Sequence, residues 1–216
     1  DGGRGNLANE TGQSLVDRAP SASGRPGDEA SGDFPARFTF HPDGVPDAPP
    51  PAPARRLRVL VTSGGTSEPL DGVRVLTNTS TGRTGAELAA YLGARGHEVV
   101  LLRSRSSVAA RAPVREETFF TFGDLDEALA RLLGGASFDA VIHAAAVGDF
   151  SIEAIVTGGV ARPVGAGKLD SESAPVLRLR TNPKLVDTLR ARSRHPGVRI
   201  VAFKLTDGAD PAEIEA

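Results

Sequence analysis

From residue 57 onward the chain alternates short, continuous apolar runs with helical patterns, and few folds accommodate that alternation. Residues 57–62 (LRVLVT), 98–102 (EVVLL) and 138–146 (FDAVIHAAA) read as buried strands, and 118–122 as a further one. Between them, residues 82–95 place Ala86, Leu88, Ala89, Leu92 and Ala94 at helical spacing, with Gly96 as the stop. Residues 125–133 predict a second helix with Asp124 as its N-cap. The last third repeats the theme: strand 176–180, helix 183–192, strand 199–205 and a helix starting near Pro211. Residues 151–174 are Gly-rich and irregular, a long loop or small hairpin. Continuous apolar strands fit a sheet covered on both faces, and intervening helices require right-handed crossovers. The expectation is an α/β fold, a Rossmann-like three-layer sandwich with a mostly parallel sheet. Ligands of such folds sit beyond the carboxyl ends of the strands.

The first 56 residues have a different texture. They hold 8 Gly and 9 Pro without a collagen-like period, a composition that cannot bury enough apolar surface to offset ordering. They read as a disordered tail, polyproline-like over 46–53 (PDAPPPAP), with one apolar island at 34–40 (FPARFTF). The domain expected is thus 57–216. The 216 residues carry 25 Lys plus Arg against 27 Asp plus Glu, a net charge of -2, which argues against a dedicated nucleic-acid binder. Zero Cys excludes a thiolate nucleophile and any Cys-ligated metal within these residues. No apolar run approaches the ~20 residues that span a bilayer, and no signal-peptide core stands at the N-terminus. The absence of Met is expected of a processed chain or a fragment.

Four segments follow predicted strands and should meet at the ligand edge. The first is 63–74 (SGGTSEPLDGVR) and the second 78–85 (NTSTGRTG), where helix amides, hydroxyls and two glycines form an anion cradle. The third is 144–150 (AAAVGDF), whose small residues admit a planar ligand beside Asp149. The fourth is 203–207 (FKLTD). Each has a structural alternative: a plain turn, an N-cap cluster at Asn78-Thr79-Ser80, a turn cap at Asp149, a solvated Lys168. His41, His97, His143 and His195 show no metal-ligand spacing, and neither GxGxxG nor GxxxxGK[ST] occurs.

Read together, residues 62–85 (TSGGTSEPLDGVRVLTNTSTGRTG) resemble the phosphopantothenoylcysteine synthetase (phosphopantothenate–cysteine ligase) family, the C-terminal half of a bifunctional coenzyme A biosynthesis flavoprotein. The resemblance extends to AAAVGDF at 144–150, Gly167-Lys168-Leu169, Asn182-Pro183-Lys184-Leu185 and Ala202-Phe203-Lys204-Leu205. It implies a ligase joining 4′-phosphopantothenate to cysteine through an acyl-nucleotidylate, with Mg²⁺ on CTP or ATP; a bacterial-like composition favours CTP. It further implies a cytoplasmic homodimer, with neither nucleic acid nor membrane as partner. Asn78 matches the residue that holds the acyl-nucleotidylate, and Lys168 the loop lysine that closes over the phosphates. Asp149 matches the nucleotide-site carboxylate, with His143, Ala144 and Ala145 lining the same edge through backbone groups. Asn182, Pro183 and Phe203 match contacts around base and ribose, and Gly82 and Gly85 leave room for a substrate phosphate.

Three departures accompany the resemblance. Gly148 stands where Ala or Ser is usual, and Asp170-Ser171 replace a second loop lysine. The family also continues past the position of Ala216 with basic residues that contact the triphosphate, so the domain is expected to be C-terminally truncated. The flavin-binding decarboxylase half is likewise not expected within these 216 residues. Two rival readings remain on the same fold. An NAD(P)-dependent oxidoreductase of the short-chain type would need a Tyr-x-x-x-Lys pair, but Tyr91 is followed four residues on by Arg95. A non-catalytic nucleotide-binding module would keep the phosphate cradle without needing Lys168.

Overall fold

Strand β1 (Arg58–Gly65) lies at the centre of the sheet, and seven of its eight residues are buried. The computed structural model describes residues 55–165, 167–170 and 174–203, all within the unit Pro46–Ala216. The expected tail up to residue 54, its apolar island and the helix near Pro211 lie outside the described residues. After β1 come β2 (Ser67–Pro69), β3 (Val75–Thr77), α1 (Arg83–Ala94), β4 (Glu98–Ser104), β5 (Arg115–Phe119) and α2 (Phe122–Gly135). Then follow β6 (Ala140–Ala146), β7 (Phe150–Thr157), β8 (Val160–Arg162), β9 (Val176–Thr181), α3 (Leu185–Arg192) and β10 (Arg199–Ala202).

Five strands form one parallel sheet in the order β10-β6-β1-β4-β5. Side chains alternate across it, as the two-residue strand period demands. Val59, Val61, Val99 and Leu101 face α1 through Ala86 and Ala89. Leu60, Val100, Leu102 and Val141 face the other way, against Leu125, Leu129 and Leu133 of α2 and Leu185 and Leu189 of α3. Both sheet faces are thereby covered, which is why the strands are apolar throughout. The three-layer α/β sandwich is as expected, and Gly96, at φ 82, ends α1 as its sequence position predicts.

Two expectations need correction. The strand placed at 118–122 ends at Phe119, and the helix placed at 125–133 begins at Phe122. Thr121 is the N-cap: its hydroxyl accepts from Asp124 N, while the Asp124 carboxylate accepts from Thr121 N. Asp124 is thus the third helical residue of a capping box, not the cap. The strand placed at 176–180 in the parallel sheet belongs elsewhere. As β9 (Val176–Thr181) it pairs antiparallel with β7 in a separate three-stranded sheet, order β8-β7-β9. A two-residue turn at Gly158-Gly159, both at positive φ, folds β7 onto β8, so much of 151–174 is hairpin rather than loop.

Candidate functional site

At the carboxyl rim of the parallel sheet, the chain segments leaving β3, β6, β9 and β10 enclose a cleft of about 910 Å³. Thr77–Ser80 supply part of its lining, as do residues 143–149, Pro183–Val186, Ala202 and Phe203. Of the residues singled out in the sequence, Asn78, His143, Ala144, Ala145, Asp149, Pro183 and Phe203 meet here.

Asn78 arrives by way of the β2–β3 hairpin, whose end is tied by side-chain hydroxyls to itself and to Thr66, the residue after β1. Ser67 Oγ donates to Thr77 Oγ1 at 2.9 Å, and Thr77 Oγ1 donates to Thr66 O at 2.9 Å. A Cβ on Gly65 would stand 2.4 Å from the carbonyl oxygen of Asn78, so only glycine lets the hairpin lie this close. The Asn78 side-chain nitrogen donates a long bond, 3.4 Å, to Ala146 O. Its side-chain oxygen makes no bond to the described residues, leaving an acceptor at the cleft wall.

The turn after β6 is held from beneath by buried polar groups. Thr66 Oγ1 accepts from Gly148 N at 2.8 Å. Asn182, itself buried, donates through Nδ2 to Gly148 O at 3.0 Å and accepts from Ser151 Oγ at 2.9 Å. Its amide also donates to Asp149 O. Asn182 is therefore bound to the cleft floor and is not among the cleft-lining residues. Asp149 itself is exposed and accepts from Lys184 Nζ at 2.6 Å. Among the described residues this pair is the only acid and the only lysine of the cleft lining. At the back, His143 is 7% exposed, and its Nδ1 lies 2.9 Å from Thr62 Oγ1. Burial pushes the imidazole pKa below its ordinary 6.5, so the ring is neutral near pH 7.

Lys168, Gly82 and Gly85 are placed differently. Lys168 is exposed on the loop between β8 and β9 and is not among the cleft-lining residues. Its flanks are gripped on either side: Gly72 N donates to Gly167 O at 2.7 Å, and Leu169 N donates to Asp71 Oδ2 at 3.0 Å. The Asp71 side chain is wholly buried and also accepts from the amides of Val73 and Arg74. The Leu169, Val73 and Arg74 amides, with the Arg74 guanidinium, hold its carboxyl below the ordinary carboxylate range. Leu169 is packed with Ile152 and Ile155 beneath the loop. Gly82 and Gly85 open α1, where a Cβ would strike Ser107 and Ser63 at 2.6 and 2.4 Å. They bring the helix start close against β1, outside the cleft lining.

Four contributors escape a reading of the sequence alone. Lys184 falls within Asn182-Pro183-Lys184-Leu185, and its place at the N-cap of α3 is the signal that turns it toward the rim. Thr62 reads as the polar end of a strand and Thr66 as part of the 63–74 segment at the ligand edge, yet each supports the cleft floor through its hydroxyl. Asp71 reads as a loop residue. Its burial marks it as an organiser, since a carboxylate is buried only when its lone pairs are filled.

The site combines an open amide, a cation–carboxylate pair, hydroxyls and an apolar wall, suited to a ligand with a planar part and an anionic part. Among the described residues no group of three or more His, Cys, Asp or Glu converges to hold a metal. Mg²⁺ is ordinarily held by one or two carboxylates together with oxygens of its ligand, and Asp149 is the carboxylate that the described cleft lining offers.

Residues 54–213 match the family described as DNA/pantothenate metabolism flavoprotein C-terminal domain. The chain is 36% identical over 157 residues to the coenzyme A biosynthesis bifunctional protein CoaBC of Thermococcus kodakarensis, covering 73% of this chain and 36% of that protein. It is 30% identical over 159 residues to the CoaBC protein of Methanocaldococcus jannaschii, covering 73% and 35%. The chain spans about a third of the length of these relatives. Among solved structures, the DNA/pantothenate metabolism flavoprotein from Streptococcus pneumoniae superposes with a TM-score of 0.61 at 24% identity, over 73% of each chain. A Cab2 mutant in complex with phosphopantothenate-cysteine superposes with a TM-score of 0.57 at 21% identity, over 72% of this chain and 65% of that one. These two likenesses establish the fold.

Proposed function

The chain belongs to the DNA/pantothenate metabolism flavoprotein C-terminal domain family, and on that premise we propose that it is a phosphopantothenate–cysteine ligase domain of coenzyme A biosynthesis. In the first step a carboxylate oxygen of 4′-phosphopantothenate attacks the α-phosphorus of a nucleoside triphosphate, and the bond to the β-phosphate breaks, releasing pyrophosphate. In the second, the cysteine amine attacks the acyl carbon and loses a proton, and the carbon–oxygen bond to the nucleotide breaks. The chemistry needs donors and cations where negative charge gathers.

The observation that carries this reading is the meeting of Asn78 with the Ala144–Asp149 turn, Lys184 and Phe203 around one cleft. In this reading Asn78 holds the acyl-nucleotidylate through its open side-chain amide. Ala144, Ala145, Pro183 and Phe203 form the wall against the base, while Asp149 and Lys184 face the phosphates. Lys168, on its anchored loop, supplies a second cation. Gly82 and Gly85 keep the α1 amides close to the substrate phosphate. Mg²⁺ bound to the triphosphate would neutralise phosphate charge; Asp149 is the residue that would face it. The triphosphate is CTP or ATP, with CTP favoured.

Residues 57–216 form the synthetase-like domain in this reading, and a cytoplasmic homodimer is its assembly. Phe150, Val160 and Leu179, which the register places on one side of the three-stranded sheet, are 42 to 63% exposed and offer an apolar face for a second copy. No described helix is long and apolar enough to cross a membrane. Light scattering gives the mass in solution. The function is tested by pyrophosphate release with phosphopantothenate, comparing CTP with ATP. Release that depends on phosphopantothenate, and Lys168→Gln that lowers it, support the ligase; nucleotide binding without release supports a non-catalytic module.

A further inference from the structure

We propose that His143 is a specificity-determining residue of the cleft, whose Nε2–H donates a hydrogen bond to an uncharged acceptor on the nucleobase. The inference rests on the reading of the cleft as a nucleotide site. It adds to that reading a side-chain role for a residue whose contribution the sequence suggested only through backbone groups.

His143 pairs in register with Thr62 of β1 and Ala202 of β10. Its side chain lies on the sheet face that carries α2 and α3, between Val141 and Ala145, and it lines the cleft together with Leu185 and Val186 of α3. His143 is 7% exposed as a residue, yet only one ring nitrogen has a protein partner among the described residues. That partner fixes the tautomer. Thr62 Oγ1, with no exposed surface, already accepts from Ala145 N at 3.2 Å. Its own proton has His143 Nδ1, at 2.9 Å, as acceptor. If Nδ1 carried the proton instead, the buried Thr62 hydroxyl hydrogen would be left without an acceptor, an arrangement proteins avoid. The imidazole proton therefore resides on Nε2, the nitrogen without a partner among the described residues, on a side chain whose residue lines the cleft.

The surroundings say what such a donor serves. Neighbours in the lining are Ala144–Ala146, Leu185, Val186 and Phe203, an apolar setting for a planar group. The two charges among the described lining residues, Asp149 and Lys184, are paired with each other. Burial keeps the ring neutral. A neutral donor in an apolar wall pairs with a carbonyl or ring nitrogen, whereas a phosphate would call for a cation. A fixed donor discriminates between bases because their acceptors sit at different positions on the ring edge.

The test is calorimetric binding of CTP, ATP and inorganic tripolyphosphate to the chain and to its His143→Phe and His143→Gln variants. His143→Phe keeps a planar ring and removes the donor; His143→Gln keeps an amide N–H. The expected result is about a tenfold weaker Kd for the better-bound nucleotide in His143→Phe. Discrimination between CTP and ATP should narrow, tripolyphosphate binding should stay unchanged, and His143→Gln should retain most of the affinity. Nitrogen-15 NMR of the unaltered chain should show Nε2 protonated, a readout that needs no variant to fold. Equal loss for both nucleotides and tripolyphosphate, unchanged nucleotide affinity in His143→Phe, or a proton on Nδ1 would overturn the proposal. If the unaltered chain binds tripolyphosphate but neither nucleotide more tightly, the nucleotide reading fails with it. A chain that binds CTP or ATP while His143→Phe binds equally well leaves that reading standing and removes only the role of His143.

Discussion

The cleft and the Lys168 loop are both built around buried polar groups, but the groups are used differently. At the cleft, Thr62, Thr66, Ser151 and Asn182 are spread along strand ends and each fixes part of a continuous floor. The loop instead is held by one buried side chain and by backbone bonds. Asp71 accepts from Leu169 N on one side and from Val73 and Arg74 on the other, while Gly72 N donates to Gly167 O and Gly165 N to Leu70 O. A distributed network makes a preformed binding surface, which needs little reorganisation when charge develops. These anchors register the loop at its base while Lys168 itself stays exposed. Binding and charge stabilisation by Lys168 should therefore separate experimentally, because they sit on differently built parts.

The variant with the largest expected effect is Lys168→Gln. In the proposed reaction it should lower kcat by about a hundredfold while nucleotide Kd, measured by calorimetry, stays within about threefold. If affinity falls as far as turnover, Lys168 belongs to the preformed surface and the contrast between the two regions collapses. Next comes Asn182→Ala, which strands Gly148 O and Ser151 Oγ beneath the floor. It should cost about 2 kcal/mol in denaturant unfolding and weaken nucleotide binding, with little change in the loop. Asp71→Asn should follow, lowering kcat by about tenfold through a misplaced Lys168. Its nucleotide Kd should be unaltered, and Lys168→Gln in the same chain should lower kcat only to the level of Lys168→Gln alone, about a further tenfold instead of a hundredfold.

Acid should divide the regions too, with the smallest effect. The folded-state pKa of His143 lies below 6.5, so the unfolded chain takes up that proton first, and stability is lost as pH falls below about 6.5. Asp71 is shifted down from 3.8, so its contribution persists until the pH falls below about 3.8. Unfolding measured at about pH 7.5 and pH 5.5 should show a modest loss that His143→Gln flattens and Asp71→Asn does not. A loss that persists in His143→Gln would remove the cleft histidine as its source.

What the sequence shows and what it hides follow the same division. The central strands and α1 are legible because burial on both faces leaves unbroken apolar runs and a clear helical period. The start of α2 is less so: Thr121 and Asp124 are both good caps, and only their reciprocal bonding decides between them. The second sheet is hidden because β9 carries exposed residues throughout most of its length, which gives no burial pattern to read. Asn78 and Phe203 announce themselves through family resemblance, and the cleft brings them together. The supporting side chains do not: nothing in the letters of Thr62 or Asp71 says that each answers a residue more than 80 positions away.

The most direct test of the central claim omits cysteine. The chain, given phosphopantothenate and CTP or ATP with Mg²⁺, should release pyrophosphate and accumulate an acyl-nucleotidylate detectable by mass spectrometry. Pyrophosphate and adduct should appear in equal amounts, and added cysteine should consume the adduct. Triphosphate cleavage that ignores phosphopantothenate, or no adduct although nucleotide and phosphopantothenate both bind, would contradict the account.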